Sequence, residues 1–239
     1  MAKHKIKHFS EFGSFDFTFE PDFKEFFQAD YHLKGKWNEQ VFKNNNPIVL
    51  ELGCGKGEYA TNLALQNPNK NFIGIDIKGN RMWKGASIAF EKKLSNIAFI
   101  RTQIEFVDSF FSKNEIEEIW ITFPDPQLKK CRNKKRLTST LFLKKYIKFL
   151  TPEGFINLKT DNTVLYDYTL ELLNKNGLKI NISTNDLYKE SNPDLIKLSE
   201  ASSIKTYYEK KYLEKGEKIK FIQFKLSNKN IEEPEPSEY

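Results

Sequence analysis

The sequence predicts an α/β fold: a doubly wound, mostly parallel seven-stranded sheet with helices on both faces. Three observations predict it. From about residue 47, short apolar runs alternate with helix-period patterns, as βαβ units require. The first apolar run, 48–52, leads straight into Gly53-x-Gly55-x-Gly57 and then a helical stretch; such glycines allow a sharp turn and close approach of a ligand to the main chain. The second run, 71–76, ends on a carboxylate, Asp76, 19 residues after Gly57, where an acceptor for ribose hydroxyls would sit.

The elements follow in chain order. Residues 1–46 carry Phe9, Phe12, Phe15, Phe17, Phe19, Phe23, Phe26 and Phe27 and read as an N-terminal appendage packed on the sheet. Strands are expected at 48–52, 71–76, 97–101, 117–123, 154–159, 178–183 and 218–226, because each is a short run dense in Ile, Val, Leu or Phe. Helices are expected between them at 57–66, 80–93, 104–111, 138–150 and 164–174. The main domain thus spans 47–228. Residues 229–239 read as an acidic tail. From 231 onward they hold four Glu and two Pro, a composition expected to remain solvated and disordered.

Composition narrows the class. A chain of 239 residues buries roughly 70% of its unfolded surface and needs no disulfide or metal staple. Hydrophobic residues at 39%, with 21 Phe and 10 Tyr, exclude a disordered protein. No run approaches the ~18 apolar residues of a membrane span, and the first eight residues precede no apolar signal segment. Cys54 and Cys131 form no framework, so a reducing cytoplasm is expected. Net charge is +6, but 34 of the 38 basic residues are Lys, a bias that an AT-rich genome also produces. Where the charge clusters therefore matters more than its total.

The glycine loop admits three readings. A dinucleotide site wants Gly-x-Gly-x-x-Gly, and here the third glycine comes one residue early. Glu51, two residues before the first glycine, would repel a pyrophosphate. A Walker loop lacks its Gly-Lys-Ser/Thr ending. Glu-x-Gly-x-Gly-x-Gly suits a ligand that is cationic and free of phosphate. S-adenosylmethionine, with a sulfonium and an ammonium group, is such a ligand. A plain strand–helix turn would explain the glycines but not the two ordered acids.

The fourth strand runs into Phe123-Pro-Asp-Pro126. Each proline stops the ladder and favours an extended residue before it, so Asp125 is expected to be held rigidly at the strand's carboxyl end, beside the cofactor. Residues 129–136 follow, six of eight basic and none acidic, with two of the chain's four Arg. A solvated charged loop is the ordinary reading of such a run. Its place after Asp125 favours a phosphate-binding surface for a nucleic acid.

With these motifs on view, the chain resembles the bacterial tRNA (guanine-N7)-methyltransferases, which modify guanine 46 of the variable loop. The likeness runs from about Pro47 to Phe224 and includes Lys159-Thr-Asp161 and Thr206-Tyr-Tyr-Glu209. The resemblance implies a Rossmann-like SAM-dependent methyltransferase fold, with S-adenosylmethionine as cofactor and tRNA as partner. It implies cofactor contacts at Glu51, Gly53, Gly55, Gly57, Asp76, Gln103 and Asp125, with Asp125 also the catalytic carboxylate. It implies substrate contacts at Lys129, Asp161, Thr206, Tyr207, Tyr208 and Glu209, and tRNA-backbone contacts at Lys130, Arg132, Lys134, Lys135 and Arg136. Two departures stand out: Gln103 replaces an Asp near the adenine, and Gln127 replaces a Trp after Pro-Asp-Pro.

N7 of guanine is an unprotonated lone-pair nucleophile at neutral pH, so no general base is expected. All three His lie before residue 33, and His4 and His8 lack a Cys or acid partner for a metal. No metal and no membrane are expected, and either a monomer or a homodimer fits. Two alternatives stay open: a SAM-dependent enzyme for another RNA base or a small molecule, and a non-catalytic RNA-binding protein on this scaffold. The Phe-Pro-Asp-Pro and basic-run unit argues against a small-molecule acceptor.

Overall fold

A computed structural model of the chain describes residues 2–189, 196–227 and 230–234. The chain divides into two compact units, 1–119 with 148–151, and 120–147 with 152–239. The boundary expected at 46/47 is not a unit boundary. The Phe-rich N-terminus belongs to the same unit as the first three expected strands.

In the first unit, α1 (Ala2–Phe12), β1 (Thr18–Phe19) and α2 (Phe23–Phe26) precede β2 (Ile48–Leu52), α3 (Glu58–Gln66), β3 (Asn71–Asp76), α4 (Gly79–Glu91) and β4 (Ile97–Arg101). The strands lie in the order β1-β4-β3-β2, all parallel. Every residue of β2 is buried, as in a strand covered on both faces. Parallel pairing with Val49 opposite Phe72 and Phe72 opposite Ile97 brings the carboxyl ends of β2, β3 and β4 to one edge. The N-terminal aromatics explain why this segment stays attached. Trp37 is fully buried, and its indole N–H donates to the Phe110 carbonyl at 2.9 Å. Phe26 packs on Phe106 and Phe110. Each large apolar side chain so buried stabilises by roughly 1.5–3 kcal/mol. On α1, His8 stacks flat on Trp83 of α4 at 3.7 Å between ring centroids.

The second unit holds most of β6 (Leu150–Thr160), α6 (Thr163–Lys175), β7 (Ile180–Thr184), α7 (Ile196–Ser203), α8 (Tyr207–Glu214) and β8 (Lys220–Phe224). Here the order is β6-β8-β7, with β8 antiparallel to both neighbours. The chain passes between the units within β5 (Ile116–Thr122) and within β6.

Among the described residues there are eight strands, not seven; the addition is the two-residue β1 beside β4. The expected helix at 104–111 is a 3-10 helix, Ile104–Ser109. The one expected at 138–150 stops at Tyr146, as α5 (Thr140–Tyr146), because β6 begins at Leu150. Residues 230–234 of the expected solvated tail are docked instead. Ile231 is buried, and the Glu233 carboxylate accepts from Thr140 N–H at 3.0 Å. The rest of that segment lies outside the described residues. Among the described residues, no helix is long and apolar enough to cross a membrane, and no cluster of His, Cys, Asp and Glu could hold a metal.

Candidate active site

In the first unit the loop after β2 is shaped by Gly53, Gly55 and Gly57, all left-handed with φ of 73°, 56° and 67°. Gly57 is required twice over: a Cβ there would also meet the Phe99 ring at 2.7 Å. Gly55 has space instead; a Cβ would find nothing nearer than the Gly53 carbonyl at 4.0 Å. A ligand can therefore approach the main chain at Gly55.

Two carboxylates flank this loop. Glu51 is buried, and its Oε2 accepts from the Ala60 N–H at 2.8 Å in the first turn of α3. Gly57 precedes α3 without a capping side chain, so Glu51 supplies the negative charge that a helix N-terminus favours. Asp76 is oriented by two backbone donors: Gly55 N–H to Oδ2 at 3.0 Å and Lys78 N–H to Oδ1 at 2.9 Å. Each oxygen keeps lone pairs for further donors, such as hydroxyls. Burial pushes the Cys54 thiol well up, and the Glu51 and Asp76 charges add to it. The thiol stays protonated and is no nucleophile. A glycine-lined turn flanked by the Glu51 and Asp76 carboxylates fits a cationic ligand carrying hydroxyls, as S-adenosylmethionine does.

Beyond β4, Gln103 is exposed, and its carbonyl accepts from Phe106 N–H at 3.1 Å. Its neighbour Thr102, which has no distinguishing signal in the sequence, holds a buried hydroxyl without a hydrogen-bond partner among the described residues.

In the second unit Asp125 is exposed, with Oδ1 accepting from Gln127 N–H at 3.0 Å. The expected extended residue before Pro124 is not found. Phe123 takes φ 48°, and Gln127 also takes φ 48°, so Asp125 sits between two left-handed non-glycine residues. Phe123 is held there by its N–H to the Lys159 carbonyl at 2.8 Å and by stacking on Tyr212. Such conformations cost energy and persist only where the surroundings impose them.

The basic run forms a 3-10 helix, Lys130–Lys135. Lys129, Lys130, Arg132, Lys134 and Lys135 are exposed, as is Cys131. Arg136, expected as a backbone contact, is buried instead, with only 4% of it accessible. Its Nε donates to the Pro126 carbonyl at 3.0 Å, and its guanidinium lies over the Tyr168 ring.

Glu209, expected as a substrate contact, is likewise internal. It is fully buried, 2.8 Å from the Lys159 ammonium, and accepts from Tyr188 Oη at 2.6 Å. Lys159 in turn donates to the carbonyls of Ala201 and Ile204. With Thr206, Glu209 closes a capping box at the start of α8. Its acceptors are taken up inside the protein rather than offered to a base. Tyr207 and Tyr208 remain outside, 43% and 44% exposed, edge to face, with Lys211 over the Tyr207 ring. Asp161 is half-buried at the end of β6, and burial pushes its carboxyl above the ordinary range.

Residues 45–222 match the family model described as "Putative methyltransferase". The tRNA (guanine-N(7)-)-methyltransferase of Christiangramia forsetii is 50% identical over 226 residues, 94% of this chain and 99% of that protein. The protein of that name from Bacteroides fragilis is 45% identical over 236 residues, 98% of this chain and 91% of its own length. Among solved structures, the 16S rRNA methyltransferase KamB shares the fold with a TM-score of 0.60 at 14% identity, covering 80% of this chain and 92% of that one. The chain belongs to the tRNA (guanine-N(7)-)-methyltransferase family.

Proposed function

We propose that this protein transfers a methyl group from S-adenosylmethionine to N7 of a guanine in tRNA, at position 46 of the variable loop. The observation that carries the reading is Asp125, an exposed carboxylate in a Pro-Asp-Pro turn directly ahead of an exposed cationic helix. A carboxylate and a phosphate-binding surface so joined in sequence suit a purine held by its sugar-phosphate chain.

The cofactor supplies an electrophilic methyl group on a sulfonium. Asp76 accepts from its ribose hydroxyls, and Gly53, Gly55 and Gly57 give it main-chain access. Gln103 and Thr102 offer polar contacts toward the adenine. Glu51 contributes negative charge from inside the loop, where it is buried and one of its oxygens accepts from the first turn of α3. The appended methyl leaves positive charge on the purine. Asp125 stabilises that charge, the counterpart of an oxyanion hole. No group needs to remove a proton from N7, so the residues' task is orientation, worth up to ~7–11 kcal/mol in favourable cases.

Asp161 accepts from the guanine N–H edge, and its raised carboxyl suits a group kept partly dry. Tyr207 and Tyr208 present faces on which unstacked bases can lie. Lys129, Lys130, Arg132, Lys134 and Lys135 neutralise phosphates. The unpaired thiols Cys54 and Cys131 agree with a cytoplasmic setting. Incubation with labelled S-adenosylmethionine and tRNA, followed by nucleoside analysis, should yield 7-methylguanosine. A protein that binds the cofactor yet leaves tRNA unmodified overturns the reading.

A further inference from the structure

We propose that Arg136 is a positioning residue for the Asp125 carboxylate, and that Glu233, near the C-terminus, holds the platform on which Arg136 rests. The inference depends on the catalytic reading of Asp125 above.

Arg136 belongs to a run of six basic residues, of which the other five face solvent. Its own donors point inward. Nε donates to the Pro126 carbonyl at 3.0 Å and Nη2 to the Gln127 carbonyl at 3.4 Å. These are the two residues that follow Asp125, and the Gln127 N–H is the donor that orients Asp125 Oδ1. Gln127 holds a left-handed φ that a side chain disfavours, so the turn needs an external clamp. A planar fork gripping two successive carbonyls is such a clamp, and a lysine cannot reproduce it.

The far side of the guanidinium rests on the Tyr168 ring, 4.3 Å from its centroid. Tyr168 Oη donates to Glu233 Oε2 at 2.6 Å. Glu233 Oε1 accepts from both the N–H and the hydroxyl of Thr140, at 3.0 and 2.6 Å, where α5 begins. Glu233 thus ties the platform to the helix that follows Arg136. Glu233 thereby has a task at the catalytic turn, and one of the six cations is withdrawn from RNA binding to serve it.

The test uses the full-length protein with Arg136→Lys and Glu233→Gln. For each, kcat and KM for tRNA, the salt dependence of tRNA binding, and hydrogen exchange over residues 124–128 are measured. Arg136→Lys should lower kcat by roughly 10- to 100-fold, the scale of a small misplacement of reacting groups. tRNA affinity and its salt slope should stay at wild-type values, and the amides of Asp125, Gln127 and Leu128 should exchange faster. Glu233→Gln should shift kcat and exchange the same way, by less. Tyr168→Phe, which keeps the ring and cuts the link to Glu233, should match Glu233→Gln and serves if Arg136→Lys fails to fold. A salt slope reduced by about one with kcat intact would make Arg136 a phosphate contact and overturn the proposal. So would lowered heat stability with unchanged kcat and exchange. If the wild type itself makes no 7-methylguanosine, the functional reading falls, while the exchange data still decide whether the clamp exists.

Discussion

Replacing Lys159 by Met should destabilise the second unit sharply. Lys159 and Glu209 are both fully buried, 2.8 Å apart. Burial lowers the affinity of Lys159 for its proton, and Glu209 opposes that effect. Lys159→Met leaves the Glu209 carboxylate inside with, among the described residues, Tyr188 Oη and the Thr206 N–H as donors. Removing one member of a buried pair typically costs about 3–5 kcal/mol, because the remaining charge is stranded. At roughly 2–4 °C per kcal/mol for a chain of this size, Tm should fall by about 6–20 °C in calorimetry. The double variant Lys159→Met, Glu209→Gln removes both charges and keeps an acceptor for Tyr188, and should recover most of the loss. A single-variant shift below about 2 °C, or a double variant no better than the single, would refute the coupling.

Other outcomes follow from the same geometry. Asp161 has a carboxyl raised by burial, so its stabilising contribution is present below the ordinary carboxyl pKa and lost as pH rises through the raised one. Asp161→Asn should therefore raise Tm at pH 7, with the gain shrinking toward about pH 4, while tRNA methylation falls. Gly57→Ala should cost roughly 2–4 kcal/mol, from the left-handed φ and the Phe99 contact together, read by denaturant unfolding. Asp125→Asn should keep the melting temperature and tRNA affinity of the wild type while losing most turnover; near-normal turnover would show the charge is unused. Replacing Lys129, Lys130, Arg132 and Lys134 with Gln should weaken tRNA binding and flatten its salt slope by about 0.7–0.9 for each phosphate no longer neutralised; an unchanged slope would mean this face does not meet RNA.

The site was legible wherever local chemistry dictated it. The glycine loop, Asp76 and the Pro-Asp-Pro stop are each set by neighbours in the chain, and the strands at 48–52, 71–76 and 97–101 lie where their apolar runs put them. What stayed hidden depends on partners distant in sequence. Arg136 looks like its basic neighbours until Tyr168 and the Pro126 carbonyl are placed beside it. Glu209 is expected as a substrate contact from the family resemblance, and Lys159 and Tyr188, distant in sequence, draw it into the interior. The left-handed Phe123 runs against its pre-proline preference, because the Lys159 carbonyl and the Tyr212 ring outweigh a local bias. Two-residue β1 lacks the length to give any periodic signal.

The two thiols differ in a useful way. Cys54 is sealed beneath the glycine loop, whereas Cys131 stands in the open on the cationic helix. A maleimide dye added to the native, unmutated chain should attach at one place, amid the residues proposed to grip phosphates. Its emission would then track nucleic-acid docking in real time, separately from methylation.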